Sequence, residues 1–205
     1  MAKRGKKGKQ LRRDIEFLYE MGSLRNLPRS WRQTLGIDCA NDLEHTLRVM
    51  WLALILARRE GVKDEGKVLK MAMAHDIAET RTGDTNYIFA VYAKNDEEQA
   101  EKDIFANTSL TDFASDVLHE YRQRRTLAAK IVKDADNLDV DLEMRELEQK
   151  GSKLPQKLQK FRRLVRQKKL YTQAAKDLWD ALDSVDVADW HLTANKWLKM
   201  PTAGR

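Results

Sequence analysis

Only four histidines occur in the 205 residues, His45, His75, His119 and His191, so each imidazole is weighed for chemistry singly. His75 is followed by Asp76, and an imidazole beside a carboxylate is the mixed nitrogen and oxygen donor set that suits a divalent transition metal. The dipeptide alone is a common coincidence. The order around it carries more: His45 lies thirty residues before His75, and Asp136 lies sixty residues after Asp76 in Ile131-Val-Lys-Asp-Ala-Asp-Asn-Leu138. Helical bundles build metal centres by converging side chains from facing helices on one interior point.

The elements that must position these residues read as helices. Residues 1–10 alternate Gly and Lys without apolar periodicity and read as a flexible basic tail, ahead of a single domain over 11–205. Leu11, Ile15 and Leu18 are spaced as in a helix that Gly22 stops, and residues 23–41, with Pro28 and Gly36, read as a long loop or broken turns. A strong helix follows, with Asn41 or Asp42 as N-cap, apolar residues at Leu43, Leu47, Met50, Trp51, Leu54 and Ile55, and Gly61 past its end. Val68 to Met73 runs into His75-Asp76, and Gly83 marks a loop. Further helices are predicted near 96–106, 111–122, 125–149, 154–169 and 173–199. No alternation of the β type stands out, so the fold class is an all-α orthogonal bundle with its site region over 28–140.

Composition narrows the function classes. A 42% hydrophobic chain with 9 Gly and 3 Pro is neither collagen-like nor largely disordered. One cysteine, Cys39, excludes an internal disulfide framework and a cysteine-rich zinc site, and reads as an inert thiol in a cytoplasmic protein. No apolar run reaches the ~20 residues that span a bilayer. The net charge of +6 suggests nucleic acid, but residues 1–13 hold seven basic residues and 150–170 hold nine, neither with an acid, leaving −10 on the rest. The body of the chain is therefore acidic.

Glu44-His45-Thr-Leu-Arg48, Ala74-His75-Asp76-Ile-Ala-Glu79, Thr82-Gly83-Asp84 and Lys133-Asp-Ala-Asp136-Asn-Leu138 resemble the HD-domain metal-dependent phosphohydrolases, pattern H…HD…D, and within them the 5′-deoxynucleotidase branch. Pro28-Arg29-Ser30-Trp31 is also similar to that branch, and the resemblance covers about residues 11–150. It implies one divalent ion (manganese, cobalt, zinc, nickel, iron or magnesium) held by His45, His75, Asp76 and Asp136, with Asp136 preferred over Asp134 and Asp139. Such an ion lowers the pKa of a bound water and polarises a phosphoryl oxygen. Glu79, four residues after His75, and Asp84 are then the catalytic carboxylates, while Arg29 and Trp31 contact the nucleotide. The implied activity is release of phosphate from (deoxy)nucleoside 5′-monophosphates by a homodimer. The alternatives are another HD-domain nucleotide hydrolase or phosphodiesterase, and a nucleic-acid-binding protein with a vestigial metal site. The bimetallic phosphodiesterases need more histidines after the HD pair than this chain has.

The ordinary readings stand beside these. Arg48 faces either the phosphate or the surface, and His119 and His191 are structural. The apolar residues of 150–170 make an amphipathic helix with a basic outer face, and Trp179, Trp190 and Trp197 belong to a core or a subunit interface.

Overall fold

The computed structural model describes residues 2–193, and over that range the chain folds into helices without a β-strand, as the sequence pattern predicts. Helix α1 (Ala2–Gly22) starts at Ala2, not Leu11, so the basic segment expected to be a flexible tail is helical. Lysine, arginine and alanine are strong helix formers and extend a helix without an apolar face of their own. The inner side of α1 packs Phe17 against the buried ring of Phe105 and Met21 against the same apolar cluster. Leu11, Ile15, Leu18 and Tyr19 stay exposed.

Residues 23–41 are short pieces, a 3-10 turn (Ser23–Asn26) and α2 (Ser30–Leu35), tied down where Pro28 and Asn41 pair as an antiparallel bridge. Then come α3 (Asp42–Arg59), α4 (Glu65–Ala74), the single turns α5 (Glu79–Thr82) and α6 (Phe89–Tyr92), and α7 (Glu97–Phe105). A π-helical turn over Phe113–Leu118 leads into α8 (His119–Gln123), and α9 spans Leu127–Gln149. Helices α10 (Leu154–Lys168) and α11 (Gln173–Ala181) follow. The helix expected over 173–199 is broken: a 3-10 turn ends α11, and α12 (Asp189–Thr193) is separate. Residues 194–205, including Trp197, lie outside the described residues. None of the described helices is long and apolar enough to cross a membrane.

Helices α3, α4, α9 and α11 enclose the main core, built from Val49, Leu52, Leu56, Met71, Ile131, Val132 and Leu138. The face of α3 turned to that core carries His45, Thr46, Val49, Leu52, Ala53 and Leu56. Leu43, Leu47, Trp51 and Ile55 form its outer stripe, with Trp51 62% exposed. The helix is thus apolar almost all round.

Helix α9 places four of its acids by four different contacts. Asp134 accepts from the backbone N–H of Tyr171 and Thr172, both at 2.8 Å, and anchors the start of α11. Asp141 holds the Arg162 guanidinium of α10 at 2.8 and 2.6 Å. Asp136 and Asp139 turn toward α3.

Candidate metal centre

The donor side chains stand near the ends of capped helices. The Asn41 side chain accepts from Glu44 N at 3.0 Å and the Glu44 carboxylate accepts from Asn41 N at 3.0 Å, a reciprocal capping box that fixes the turn presenting His45. Helix α4 ends at Ala74, and the chain continues in tight turns, with Ile77 N donating to Ala74 O and Glu79 N to Asp76 O. That junction buries His75.

His45, His75, Asp76 and Asp136 converge, each offering a donor atom within 4.8 Å of the others. His75 Nε2 lies 3.1 Å from Asp76 Oδ2, and His45 Nε2 lies 3.4 Å from Asp76 Oδ2 and 3.5 Å from Asp136 Oδ1. The other ring nitrogens are engaged: His75 Nδ1 bonds the Ala72 carbonyl at 2.8 Å, and His45 Nδ1 lies 2.6 Å from Asp139 Oδ2. A proton fixed on Nδ1 leaves the lone pair of Nε2 facing the cluster, which is how a second carboxylate prepares an imidazole for a metal. Both Nε2 atoms are buried and lack a hydrogen-bond partner. Two orphaned imidazole nitrogens beside two carboxylates are the donor chemistry of a divalent ion, and the residues fit one.

Further carboxylates crowd the same point. Asp42, Asp76 and Glu79 also offer oxygens within 4.8 Å of one another, and Asp42 Oδ2 and Glu79 Oε2 are buried without partners. Burial, with Asp76, Asp42 and Asp84 near, pushes Glu79 up to about 11, and burial with Asp76 pushes Asp42 up to about 6. Burial also opposes the charges of Asp76 and Asp136, yet His75 and His45, with Lys133 beside Asp136, hold both below the usual carboxylate range. Burial disfavours the imidazolium of His45, but Asp136, Asp139 and Asp76 outweigh it and raise its pKa. In the cation-free protein, protons on His45 and Glu79 therefore supply neutralising charge.

A cavity of about 280 Å³ opens on the cluster, lined by His75, Asp76, Glu79 and Asp136 together with Tyr121, Arg122, Arg124, Lys133 and Arg29. Clefts of about 550 and 760 Å³ elsewhere contain no histidine, so size alone does not locate the chemistry. Arg29 lies 3.5 Å from Asp42, 3.8 Å from Asp76 and 3.6 Å from Asp84. Burial works against its charge, but Asp84, Asp76, Asp136 and Glu79 raise its pKa. Asp84 also accepts from Ser30 N at 2.5 Å, which fastens the Arg29 segment to the turn at Gly83. Gly83 has φ 75° and ψ 155°, a conformation that favours glycine.

Trp31 sits half-buried in α2, two residues beyond Arg29, and is not part of the cavity lining. Arg48 is not part of the cavity lining; it is half-buried at the 550 Å³ cleft and bonds Asp139, and Glu146 at 2.6 Å. His119 bonds Gln123 and His191 lies against Trp190, both apart from the cluster. Burial raises the Cys39 thiol, in keeping with an inert group. Sequence reasoning missed Asp139, Asp42, Tyr121 and Arg124. A signal existed for Asp139, one turn after Asp136 on the same helix face.

A family model described as HD domain matches residues 21–179. The chain belongs to the HD-domain family. The HD-domain chain is similar to two proteins called 5′-deoxynucleotidase HDDC2. That of Dictyostelium discoideum is 26% identical over 157 residues, 70% of this chain and 82% of that protein. That of Danio rerio is 28% identical over 158 residues, 72% of this chain and 75% of the other. Among solved structures, a Pyrococcus horikoshii protein matches with a TM-score of 0.66 and 26% identity, over 83% of this chain and 96% of its own. A predicted metal-dependent phosphohydrolase from Magnetospirillum magnetotacticum has the same fold, with a TM-score of 0.66 at 23% identity over 85% of this chain and 91% of its own. The resemblance read from the residues is borne out, and the HD-domain chain is a hydrolase of this family with a His/Asp cluster able to hold a metal ion.

Proposed function

We propose that this protein hydrolyses nucleoside 5′-monophosphates, deoxynucleotides foremost, to nucleoside and phosphate, using one divalent ion held by His45, His75, Asp76 and Asp136. The observation that carries the reading is the pair of buried, partnerless Nε2 atoms facing two carboxylates beside a cavity whose lining includes four cations. When bound, the ion supplies Lewis acidity and lowers the pKa of water. The chain's own residues do the rest. Glu79 holds a proton for the leaving 5′ oxygen, a form favoured by its burial and then by the charges of Asp76, Asp42 and Asp84. Arg29 keeps a fixed positive charge at the cavity, and Trp31 is the candidate sugar or base contact because it follows Arg29 in the same short segment. The single cysteine fits a cytoplasmic setting.

Purified protein loaded separately with manganese, cobalt, zinc, nickel, iron or magnesium should release phosphate from a deoxynucleoside monophosphate, and the chelated protein should not. Turnover only of cyclic, diester or triphosphate substrates would replace this reading with another hydrolase activity. No turnover, together with tight nucleic-acid binding that weakens steeply with salt, would favour the binding alternative.

We also propose that the chain forms a homodimer through the outer face of α3. A helix apolar all round requires burial on both sides. Antiparallel pairing of two copies about Trp51 sets Leu47 against Ile55 and Glu44 against Arg58, while Leu43 meets the aliphatic stem of Arg59. Light scattering should give twice the 23.8 kDa chain mass, and Trp51→Glu should return a helical monomer. A monomeric wild type at micromolar concentration would refute this.

A further inference from the structure

Four cations line the 280 Å³ cavity, and three of them are already committed to carboxylates. Arg29 is held among Asp42, Asp76 and Asp84. Lys133 Nζ lies 2.6 Å from Asp136 Oδ2. Arg122 is paired with the buried Glu101 and lies 4.0 Å from Glu98. Arg124 differs. Among the described residues it makes no ion pair: its guanidinium carbon lies 3.3 Å from the centroid of the Tyr121 ring, and one Nη donates to the Tyr121 carbonyl. The Tyr121 ring in turn meets the His75 ring edge-on at 6.1 Å and 89°. A stack thus runs from a guanidinium with no carboxylate partner among the described residues to an imidazole of the donor cluster.

The backbone at Arg124 points the same way. Its φ is 52° and ψ 24°, the left-handed region that a side chain adopts rarely and glycine readily. An arginine at a position where glycine would cap α8 without strain is a backbone outlier, and such outliers cluster at functional sites. A phosphomonoester gives this side chain a function. It carries up to two negative charges into a cavity edged by Asp76, Glu79, Glu97, Glu101 and Asp136, and the paired cations have their charge largely offset. A planar guanidinium offers parallel donors to two phosphoryl oxygens, and stacking on an aromatic ring fixes its plane beforehand.

Resting on the monophosphatase reading above, we infer that Arg124, braced on Tyr121, is the substrate-contacting residue that binds the phosphoryl group in this cavity. Arg29 is then chiefly the counter-ion of the acidic cluster.

The experiment measures binding of inorganic phosphate to metal-loaded protein by calorimetry, alongside kinetics on a deoxynucleoside monophosphate. Arg124→Gln should weaken phosphate binding at least tenfold and raise KM for the monophosphate, while metal content and inhibition by the product nucleoside stay within twofold of wild type. Arg124→Lys should recover part of the phosphate affinity. Arg124→Gly, which suits the left-handed backbone, should fold and melt like wild type yet bind phosphate as poorly as Arg124→Gln. Unchanged phosphate affinity in a folded Arg124→Gln or Arg124→Gly variant overturns the proposal and leaves the monophosphatase reading standing. Phosphate binding that depends on Arg124, without monophosphate turnover, upholds the phosphoryl site and overturns the substrate assignment instead.

Discussion

The donor cluster and the cationic lining of the cavity it opens on are held by different means. Each cluster histidine is fixed twice, by a capped or tightly turned helix end and by a bond to the nitrogen it does not present. The cations come from α9, α8 and the short pieces around α2, and three of the four are oriented by carboxylates that belong to the site or border it. The donors are therefore preorganised by the fold, whereas the charge of the lining depends on what the carboxylates are doing. A cation at the cluster would draw on the same Asp136 charge that holds Lys133.

The change that separates the two regions most widely is Asp76→Asn. It should remove bound metal and lower monophosphate turnover on the order of 10³-fold or more, because the ion supplies both Lewis acidity and water activation. Metal analysis of the purified variant beside its rate checks this, and retained metal with full turnover would show that the cluster is not the centre.

Asp139→Asn leaves the donors intact but weakens the bond that orients His45 and holds Arg48. Its metal affinity should fall roughly 10- to 100-fold, the usual effect of losing such an orienting partner. Competition with a chelator measures it.

Metal affinity should also rise with pH. The raised pKa of His45 means that the metal-free imidazole keeps its proton to higher pH than an ordinary histidine, and the ion must displace it. Release of one proton gives about tenfold in affinity per pH unit until His45 is neutral in the metal-free protein. The slope should flatten earlier in Asp139→Asn, since one of the carboxylates that raise the His45 pKa is gone.

The smallest effect belongs to the scaffold. Asn41→Ala removes the side-chain cap of α3 and should cost about 1 kcal/mol of stability by denaturant titration. If the donors are preorganised by the helices, metal affinity drops with it. An unchanged affinity would show that the Asp139 bond alone suffices to place His45.

Much of this organisation is legible in the amino-acid sequence. The ordered His, His-Asp and Asp, the Asn41 cap and the helices around them follow from spacing. What escapes depends on packing between distant segments. Asp139 sits on α9, ninety-four positions from the imidazole it orients, and only the α3 and α9 contact reveals the pair. The periodic stripe Leu43, Leu47, Trp51 and Ile55 is real but faces outward, because a helix apolar on both sides does not announce which side is the core. Arg124 carries no motif at all, since its conformation is set by how α8 ends. Helix α1 starts early because lysine propensity needs no apolar period, and α11 stops early where the run from Leu182 to Asp189 breaks into turns.

The π-helical turn at Phe113–Leu118 sets the rotational phase of α8, which continues directly from it. Each residue in an α-helix advances the chain by about 100°, so a wider turn that takes up one extra residue rotates the following helix by about that amount relative to the one before. Here the rotation serves two faces at once: Phe113 and Leu118 stay in the core while Tyr121 reaches the cavity. Removing one residue at the exposed pair Ser115 and Asp116 would rewind the turn and swing the Tyr121 ring off His75, a change of register that leaves every side chain of the donor cluster unaltered.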